Sequence, residues 1–561
     1  MSMTTELMAQ VEAWIEQDPD EVTRVELSEL LARTDDAAHL ELADAFRAPL
    51  EFGTAGLRGK LGGGPNRMNR VVVIQAAAGL AEYLNTQGLE GETVVIGYDG
   101  RFNSDVFAQD TAKVMAAAGF KPMLFDHMVP TPVLAFAIRD LGTCAGVMVT
   151  ASHNPPQDNG YKVYLGDGRQ IVSPADFEIS TCIRRVTDVR DVPLKDECII
   201  VGPEVEERYI ASLSNVIHAG PTTAQQRSDI VSVYTAMHGV GWNSIHEACV
   251  NSDFKEPNAV PEQRDPDPRF PTVAFPNPEE KGALDLSIAL ANTTAADILI
   301  ANDPDADRLA VALPTSDGQW KTLHGDQVGS LLAWWVIERA RRSGVSLQGT
   351  MANSIVSSMM MESIAHDAGL DYINTLTGFK WVSRVANLVY GYEEALGYCV
   401  NPDFVGDKDG VSAATFVLEM AAALKAEGRT VWDVLDVLAH KYGLHSTDQV
   451  SVRVSDLSQV THVMSALRAT PPSTIGGLKV AQVLDLAKSQ TGLPPTDGVI
   501  FMLEASAEIS KARVIVRPSG TEPKIKCYLE VVCTNDDLES AGQVSANALA
   551  ALAADAKPLL S

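Results

Sequence analysis

Between residues 146 and 162 the chain reads GVMVTASHNPPQDNGYK. The apolar run Val147 to Val149 fits a short buried strand, and Pro155 with Pro156 forbids a helix directly after it. Ser152 is therefore expected on a polar turn just past a strand end, with His153 and Lys162 close by in sequence. Reactive groups gather at such strand ends in open α/β sheets. A turn serine by itself more often makes a local hydrogen bond than performs chemistry, because its hydroxyl is a poor nucleophile unaided. The flanking segments decide what the chain can fold into. Thr93 to Ile96 is a β-branched strand whose turn presents Arg101. A helix from Ser104 to Ala118 and a short strand from Pro122 to Phe125 follow. This βαβ rhythm predicts an α/β fold with parallel or mixed sheets.

At 561 residues the chain exceeds one hydrophobic core, so several domains are expected. Helices are expected over residues 3 to about 47 and from 71 to 86. A first domain spans 1–205. A second, 206–324, carries strands at Ile230 to Ala236 and Ala296 to Asn302, separated by a proline- and charge-rich exposed loop from Pro261 to Pro278. A third, 325–440, opens with a helix from Asp326 to Arg342. The smaller fourth, 441–561, contains a strand from Ala512 to Val516. Asp and Glu number 73 against 44 Lys and Arg, a formal net charge of −29, which argues against nucleic-acid and membrane partners. Any phosphate site must then be locally basic. Seven scattered cysteines without CxxC spacing fit reduced thiols and a cytoplasmic location. The N-terminal residues do not read as a signal peptide, and the apolar run Leu331 to Ile337 is far short of the roughly 20 residues that span a bilayer.

Three further segments carry chemistry. Asp303, Asp305 and Asp307 follow a strand at i, i+2 and i+4, and in an extended chain would lie on one side. Three such carboxylates repel one another unless a cation sits among them, and Mg²⁺ suits the oxygen ligands where a phosphate completes the shell. A calcium EF-hand is excluded, because Arg308 stands where that loop needs glycine and Pro314 where it needs glutamate. Glu393 and Glu394 sit between glycines and tyrosines in GYEEALGY, a setting suited to sugar hydroxyls as well as to a plain solvated face. The loop after Val516, RPSGTEPKIK, supplies Arg517, Ser519, Gly520, Thr521 and Lys526 as donors for a dianion.

TASHNPPQDNGYKVY resembles the phosphoserine loop of the α-D-phosphohexomutases, the phosphoglucomutase/phosphomannomutase superfamily. EFGTAGLRG, DPDADR, GYEEALGY and RPSGTEPK match further motifs of that family in order, across roughly residues 50 to 530. The resemblance implies four domains around a central cleft, three similar α/β domains with mixed sheets and a C-terminal α+β domain. It implies that Ser152 carries the phosphoryl group and that Arg58 contacts the serine loop or the phosphate. Asp303, Asp305 and Asp307 become Mg²⁺ ligands with a phosphoserine oxygen, and Arg308 helps to hold phosphate. Lys162, expected to have a lowered pKa beside a metal and arginines, becomes the general base, with His153 as the alternative. Thr377, Gly378, Lys380, Glu393, Glu394 and Lys408 would bind the sugar, and the Arg517 loop the phosphate that is not reacting.

The implied reaction interconverts hexose 1-phosphate and 6-phosphate, glucose first and mannose next, through a bisphosphorylated sugar, with glucose 1,6-bisphosphate as activator. Ala395 departs from the commonest pattern, which has a serine there. GYEEALGY with TGFKW upstream and DKDG downstream looks most like the phosphoglucomutase-2/phosphopentomutase branch, so a pentose phosphate is an alternative. A sugar 1,6-bisphosphate synthase, a phosphatase and a degenerate scaffold are further readings; the last would predict a lost motif. A monomer or weak homodimer is expected.

Overall fold

Residues 4–454, 457–488, 492–519 and 524–560 are described by the structure, a computed structural model. The N-terminal helices Thr5–Gln17, Glu21–Ala32 and Asp36–Ala45 fall inside the expected helical span. Each starts at a side-chain cap, Thr4, Asp20 and Asp35 in turn, which accepts a backbone N–H that the helix itself leaves without a partner. Their buried positions, among them Val11, Trp14, Leu27 and Leu42, join the core of the sheet that follows.

That first sheet has six strands in the order Leu57–Lys60, Asp158–Leu165, Ala145–Val149, Thr93–Tyr98, Lys121–Phe125 and Ile199–Val201. The last four run parallel, while Asp158–Leu165 and Leu57–Lys60 are antiparallel, giving a mixed sheet. Ala145–Val149 is buried along its whole length, as its unbroken apolar sequence dictates. It reverses into Asp158–Leu165 with Met148 opposite Lys162, so the serine turn is the tip of a long hairpin with a lysine on its return strand. Helix Thr131–Asp140 has no counterpart in the expected elements. Residues 131–138 are all buried, so the segment has no polar face whose 3.6-residue period would announce a helix.

The second sheet, also mixed, runs Trp320–Thr322, Ala310–Pro314, Ile298–Ala301, Ser232–Thr235, Asn258–Ala259. Again a fully buried strand, Ile298–Ala301, turns back on an antiparallel neighbour, and the aspartates occupy the turn. They do not lie in an extended segment as the i, i+2, i+4 spacing suggested. Ala306 adopts φ +54°, a left-handed conformation that folds the carboxylates together instead of alternating them along a strand. The loop from 261 to 278 is exposed over much of its length, as expected, but Gln263, Phe270 and residues 276–278 turn inward, Phe270 to 3% exposure.

Residues up to 322 pack with 397–422 as one compact unit, and 323–396 pack with residues from 423 onward as another. In the second unit Asp371–Thr375, Thr350–Ser354 and Leu388–Glu393 form three parallel strands beside helix Gly325–Arg342. A six-stranded antiparallel sheet follows, in the order Leu444–Arg453, Lys524–Cys533, Ile509–Pro518, Val499–Leu503, Leu478–Asp485, Thr474–Ile475. It is backed by helices Leu457–Ala469 and Leu538–Leu559. Ile355 and Val356 pack on its Ile500, Ile515 and Tyr528 and on Leu486, just past the strand Leu478–Asp485. No helix among the described residues is long and apolar enough to cross a membrane, and all seven cysteines are free thiols.

Candidate active site

Ser152 takes φ +51°, unusual for a residue with a side chain, and is 3% exposed. Its N–H donates to Thr150 Oγ1 at 2.8 Å, tying the turn to the end of its own strand. The hydroxyl donates to Asp303 Oδ2 at 2.7 Å and lies 3.2 Å from His153 Nδ1. The nucleophile candidate and the first aspartate therefore meet although 151 residues separate them. Arg58 reaches the same turn by donating to Asn154 Oδ1 at 3.0 Å.

The aspartate loop is buried and densely charged. Ligand oxygens of Asp303, Asp305 and Asp307 lie within 4.8 Å of one another. Lys162 Nζ donates to Asp305 Oδ2 at 2.7 Å and Asp307 Oδ2 at 2.8 Å, and Lys408 Nζ lies 3.2 Å from Asp307 Oδ2. Thr131 adds a hydroxyl bond to Asp305 Oδ2 at 2.6 Å and an N–H bond to the Asp305 carbonyl at 2.9 Å. Asp305 Oδ1 and Asp307 Oδ1, although buried, have no hydrogen-bond partner among the described residues. Two orphaned carboxylate oxygens converging in one buried turn fit a hard divalent cation.

Charge states follow from this packing. Burial and the like charges of Asp305 and Asp307 push the Asp303 carboxyl well up. Burial also raises Asp305 and Asp307, but the Lys162 ammonium more than reverses this, and both end below the usual carboxylate range. Burial depresses Lys162, yet Asp305 and Asp307 outweigh it, so the ammonium is held above its ordinary value. That corrects the expectation of a lowered lysine: the side chain lies directly on two carboxylates rather than chiefly among arginines. Burial, with Arg308 and Arg58, pushes His153 well below its ordinary value, leaving a neutral ring beside the serine. Arg308 is half-buried and donates its backbone N–H to Asp303 Oδ1 at 3.1 Å.

Lys408, expected on the sugar, stands instead at the aspartates. The segment around it is anchored there by Tyr164 and Gln170 donating to Asp407 at 2.9 and 2.7 Å, and by Tyr209 donating to Asp409 at 2.8 Å.

In the second unit Glu393 Oε1 accepts the Gly378 N–H at 2.6 Å, joining the two expected sugar-binding segments. Gly378, at φ +108°, starts the short helix Phe379–Val382 that carries Lys380, and Thr377 immediately precedes it. Glu394 is a structural anchor: it accepts from Ser354 Oγ at 3.1 Å and Ser357 Oγ at 2.9 Å. Arg517 faces Lys526 across the antiparallel pair and hydrogen-bonds Tyr528, whose hydroxyl also feels the charges of Glu394 and Glu393. The glutamate loop and the basic strand pair are thus neighbours. Ser519 donates its N–H to the Lys524 carbonyl at 2.8 Å. Gly520 and Thr521 lie outside the described residues.

Two contributors carry little signal in the sequence: Arg101 shows there only as a residue presented by a turn, and Thr131 gives no chemical signal of its own ahead of a buried helix.

This fold, with a buried serine on an aspartate loop, defines the phosphoglucomutase/phosphomannomutase class of α/β proteins, and the chain belongs to that family. The family's α/β/α domains I, II and III match residues 49–190, 207–317 and 324–442, and its C-terminal domain matches 496–542. Among individual relatives, the chain is 49% identical to a probable phosphomannomutase of Haemophilus influenzae, over 82% of this chain and 93% of the relative. It is 35% identical to the Homo sapiens phosphopentomutase, over 92% and 90%. A Staphylococcus aureus phosphoglucomutase is 36% identical, over 89% and 92%.

Proposed function

We propose that this chain is a phosphosugar mutase that interconverts hexose 1-phosphate and 6-phosphate through a phosphorylated Ser152, with glucose phosphate its first substrate and mannose phosphate its second. The observation that carries the reading is the 2.7 Å contact of the Ser152 hydroxyl with Asp303, beside the orphaned oxygens of Asp305 and Asp307. The names of the relatives, which include phosphomannomutase and phosphoglucomutase, support the hexose.

In the forward half-reaction a sugar hydroxyl oxygen bonds to the phosphoserine phosphorus, the bond from phosphorus to Ser152 Oγ breaks, and a bisphosphorylated sugar forms. The sugar's other phosphate then returns to Oγ after the intermediate turns end for end. We assign Lys162 as the relay of the hydroxyl proton: it starts charged on Asp305 and Asp307, so it takes that proton up only as it passes its own to the departing Ser152 Oγ, with His153 shaping the turn from 3.2 Å. Asp303, Asp305 and Asp307 would hold Mg²⁺, which when bound supplies positive charge to the transferring phosphoryl oxygens. Arg308 and Lys408 add fixed charge at the same place. To the sugar hydroxyls we assign Glu393, and to the phosphate that is not reacting Arg517, Ser519 and Lys526.

A pentose phosphate is the second reading. Ala395 offers no hydroxyl beside the glutamates, removing one possible hydrogen bond worth about 0.5–1.5 kcal/mol, and phosphopentomutases are among the relatives. We propose a cytoplasmic setting, which fits seven cysteines that stand outside any disulfide.

Initial rates with Mg²⁺ and a trace of glucose 1,6-bisphosphate test the substrate. Glucose 1-phosphate should give the highest kcat/KM, above mannose 1-phosphate and ribose 1-phosphate. A highest value for ribose 1-phosphate would transfer the assignment to the pentose, and inorganic phosphate release without isomerisation would replace the mutase by a phosphatase.

A further inference from the structure

Arg101 is 4% exposed and makes no ion pair with Asp303, Asp305 or Asp307, yet the serine turn is built around it. Its Nη1 donates to the carbonyls of Pro155 at 2.8 Å and Asp158 at 3.0 Å. Its Nη2 donates to the carbonyls of Ser152 at 2.6 Å and Asn154 at 2.5 Å. All four terminal hydrogens of the guanidinium are spent on the backbone of one turn. The planar fork makes this possible; a lysine ammonium, with three hydrogens on one atom, cannot span the four oxygens. Behind it, Asp99 Oδ1 accepts the Arg101 backbone N–H at 3.1 Å and the Ser104 hydroxyl at 2.8 Å, fixing where the arginine begins.

The outer face of the guanidinium is covered from the second domain. Phe270, itself at φ +46°, places its ring centroid 5.0 Å from the Arg101 guanidinium carbon. Its loop is pinned to the His238 turn: Asp267 N donates to the His238 carbonyl at 3.1 Å, and His238 Nε2 lies 2.8 Å from Thr272 Oγ1. The approach is close enough that a Cβ on Gly100 would stand 2.8 Å from Pro266 Cβ.

We propose that Arg101, stacked under Phe270, is a positioning residue that fixes the direction of Ser152 Oγ for phosphoryl transfer. It makes the attitude of the nucleophile depend on a loop of the neighbouring domain. A serine held at a positive φ relaxes unless its surroundings over-determine it, and these four carbonyl bonds from one side chain tie Ser152 to three other residues of the turn. The proposal rests on Ser152 as the phosphoryl carrier.

The test is single-turnover transfer from glucose 1,6-bisphosphate to the dephosphorylated full chain, followed by intact mass, together with steady-state kcat and KM and thermal melting. Arg101→Lys should slow transfer by about 100-fold and Phe270→Leu by about 5–20-fold, with KM for glucose 1-phosphate within about two-fold. Phe270→Tyr, which keeps an aromatic face over the guanidinium, should recover most of the rate lost in Phe270→Leu. Equal rates for the Leu and Tyr variants would overturn the proposal. So would losses that fall on KM, or slowing accounted for by the unfolded fraction alone. Labelling of Ser152→Ala at another residue would overturn the phosphoserine assignment itself, and this proposal with it.

Discussion

Three carboxylates within one turn are tolerable only because cations surround them. Lys162 takes one oxygen from each of Asp305 and Asp307, and Lys408 shares Asp307, which leaves a second oxygen on each aspartate without a donor. Mg²⁺ should therefore bind the folded protein and stabilise it, by about 2.7 kcal/mol when its concentration is 100 times Kd. The expected result is a rise in Tm on adding millimolar Mg²⁺ in calorimetry, reversed by a chelator and absent in Asp307→Asn. The same variant should lose at least about 100-fold in kcat, since both charge neutralisation and metal affinity suffer. An unchanged Tm with Mg²⁺ would contradict the metal assignment. At this scale the sequence was a good guide to identity and a poor one to charge. Asp303, Asp305 and Asp307 announce themselves by residue type and spacing, whereas Ser152 is singled out only by the resemblance of its loop. The direction of the Lys162 shift depends on which side chains it touches, and those, Asp305 and Asp307, come from the turn of another sheet.

Both reactive turns are built in one way: a fully buried strand, a tight loop, then an antiparallel return. The strands are legible because four or five consecutive apolar residues can only be buried. The loops are less so, because Ser152 and Ala306 adopt positive φ where no glycine signals it. Gly56 is the opposite case. It takes φ +76°, and a Cβ there would stand 1.8 Å from the Tyr161 carbonyl oxygen, so the strand Leu57–Lys60 can lie against Asp158–Leu165 only with glycine at its edge. Gly56→Ala should destabilise by about 1–3 kcal/mol in urea unfolding and pull Arg58 from the serine turn. Activity should fall by more than the loss of folded protein explains. Near-normal activity with unchanged stability would contradict this account of the edge strand.

At the scale of the whole molecule, burial extends to polar groups, and in the second unit such groups link two sheets. In the second unit Glu530 accepts from Ser358 Oγ at 2.7 Å and from Arg513 Nε at 2.8 Å, and Arg513 Nη1 donates to the Ile355 carbonyl at 3.0 Å. Asp326 lies beside this network, accepting from Ser358 N at 2.7 Å and the Tyr392 hydroxyl at 3.0 Å. Burial, then the charge of Glu530, pushes its carboxyl up to about 7. The native state therefore keeps a proton that the unfolded chain, with an ordinary aspartate near 3.8, releases. Its contribution to stability is full below about pH 4 and is lost as pH rises through 7, a difference on the order of a few kcal/mol. Asp326→Asn, which keeps the shape without the charge, should flatten that fall between pH 5 and 8 relative to the natural chain. Parallel stability curves for the two would remove Asp326 from the explanation. The sequence marks this aspartate only as the start of a helix, because Ser358, Tyr392 and Glu530, which surround it, are distant in the chain.

The central claim is that Ser152 carries the phosphoryl group between sugar positions. Its most direct measurement is the intact mass of the chain after brief exposure to glucose 1,6-bisphosphate and Mg²⁺, with peptide mapping of the modified residue. One phosphoryl group on Ser152, discharged by added glucose 6-phosphate and absent from Ser152→Ala along with all isomerisation, is the predicted result. Sugar phosphate isomerisation that persists in Ser152→Ala would contradict it.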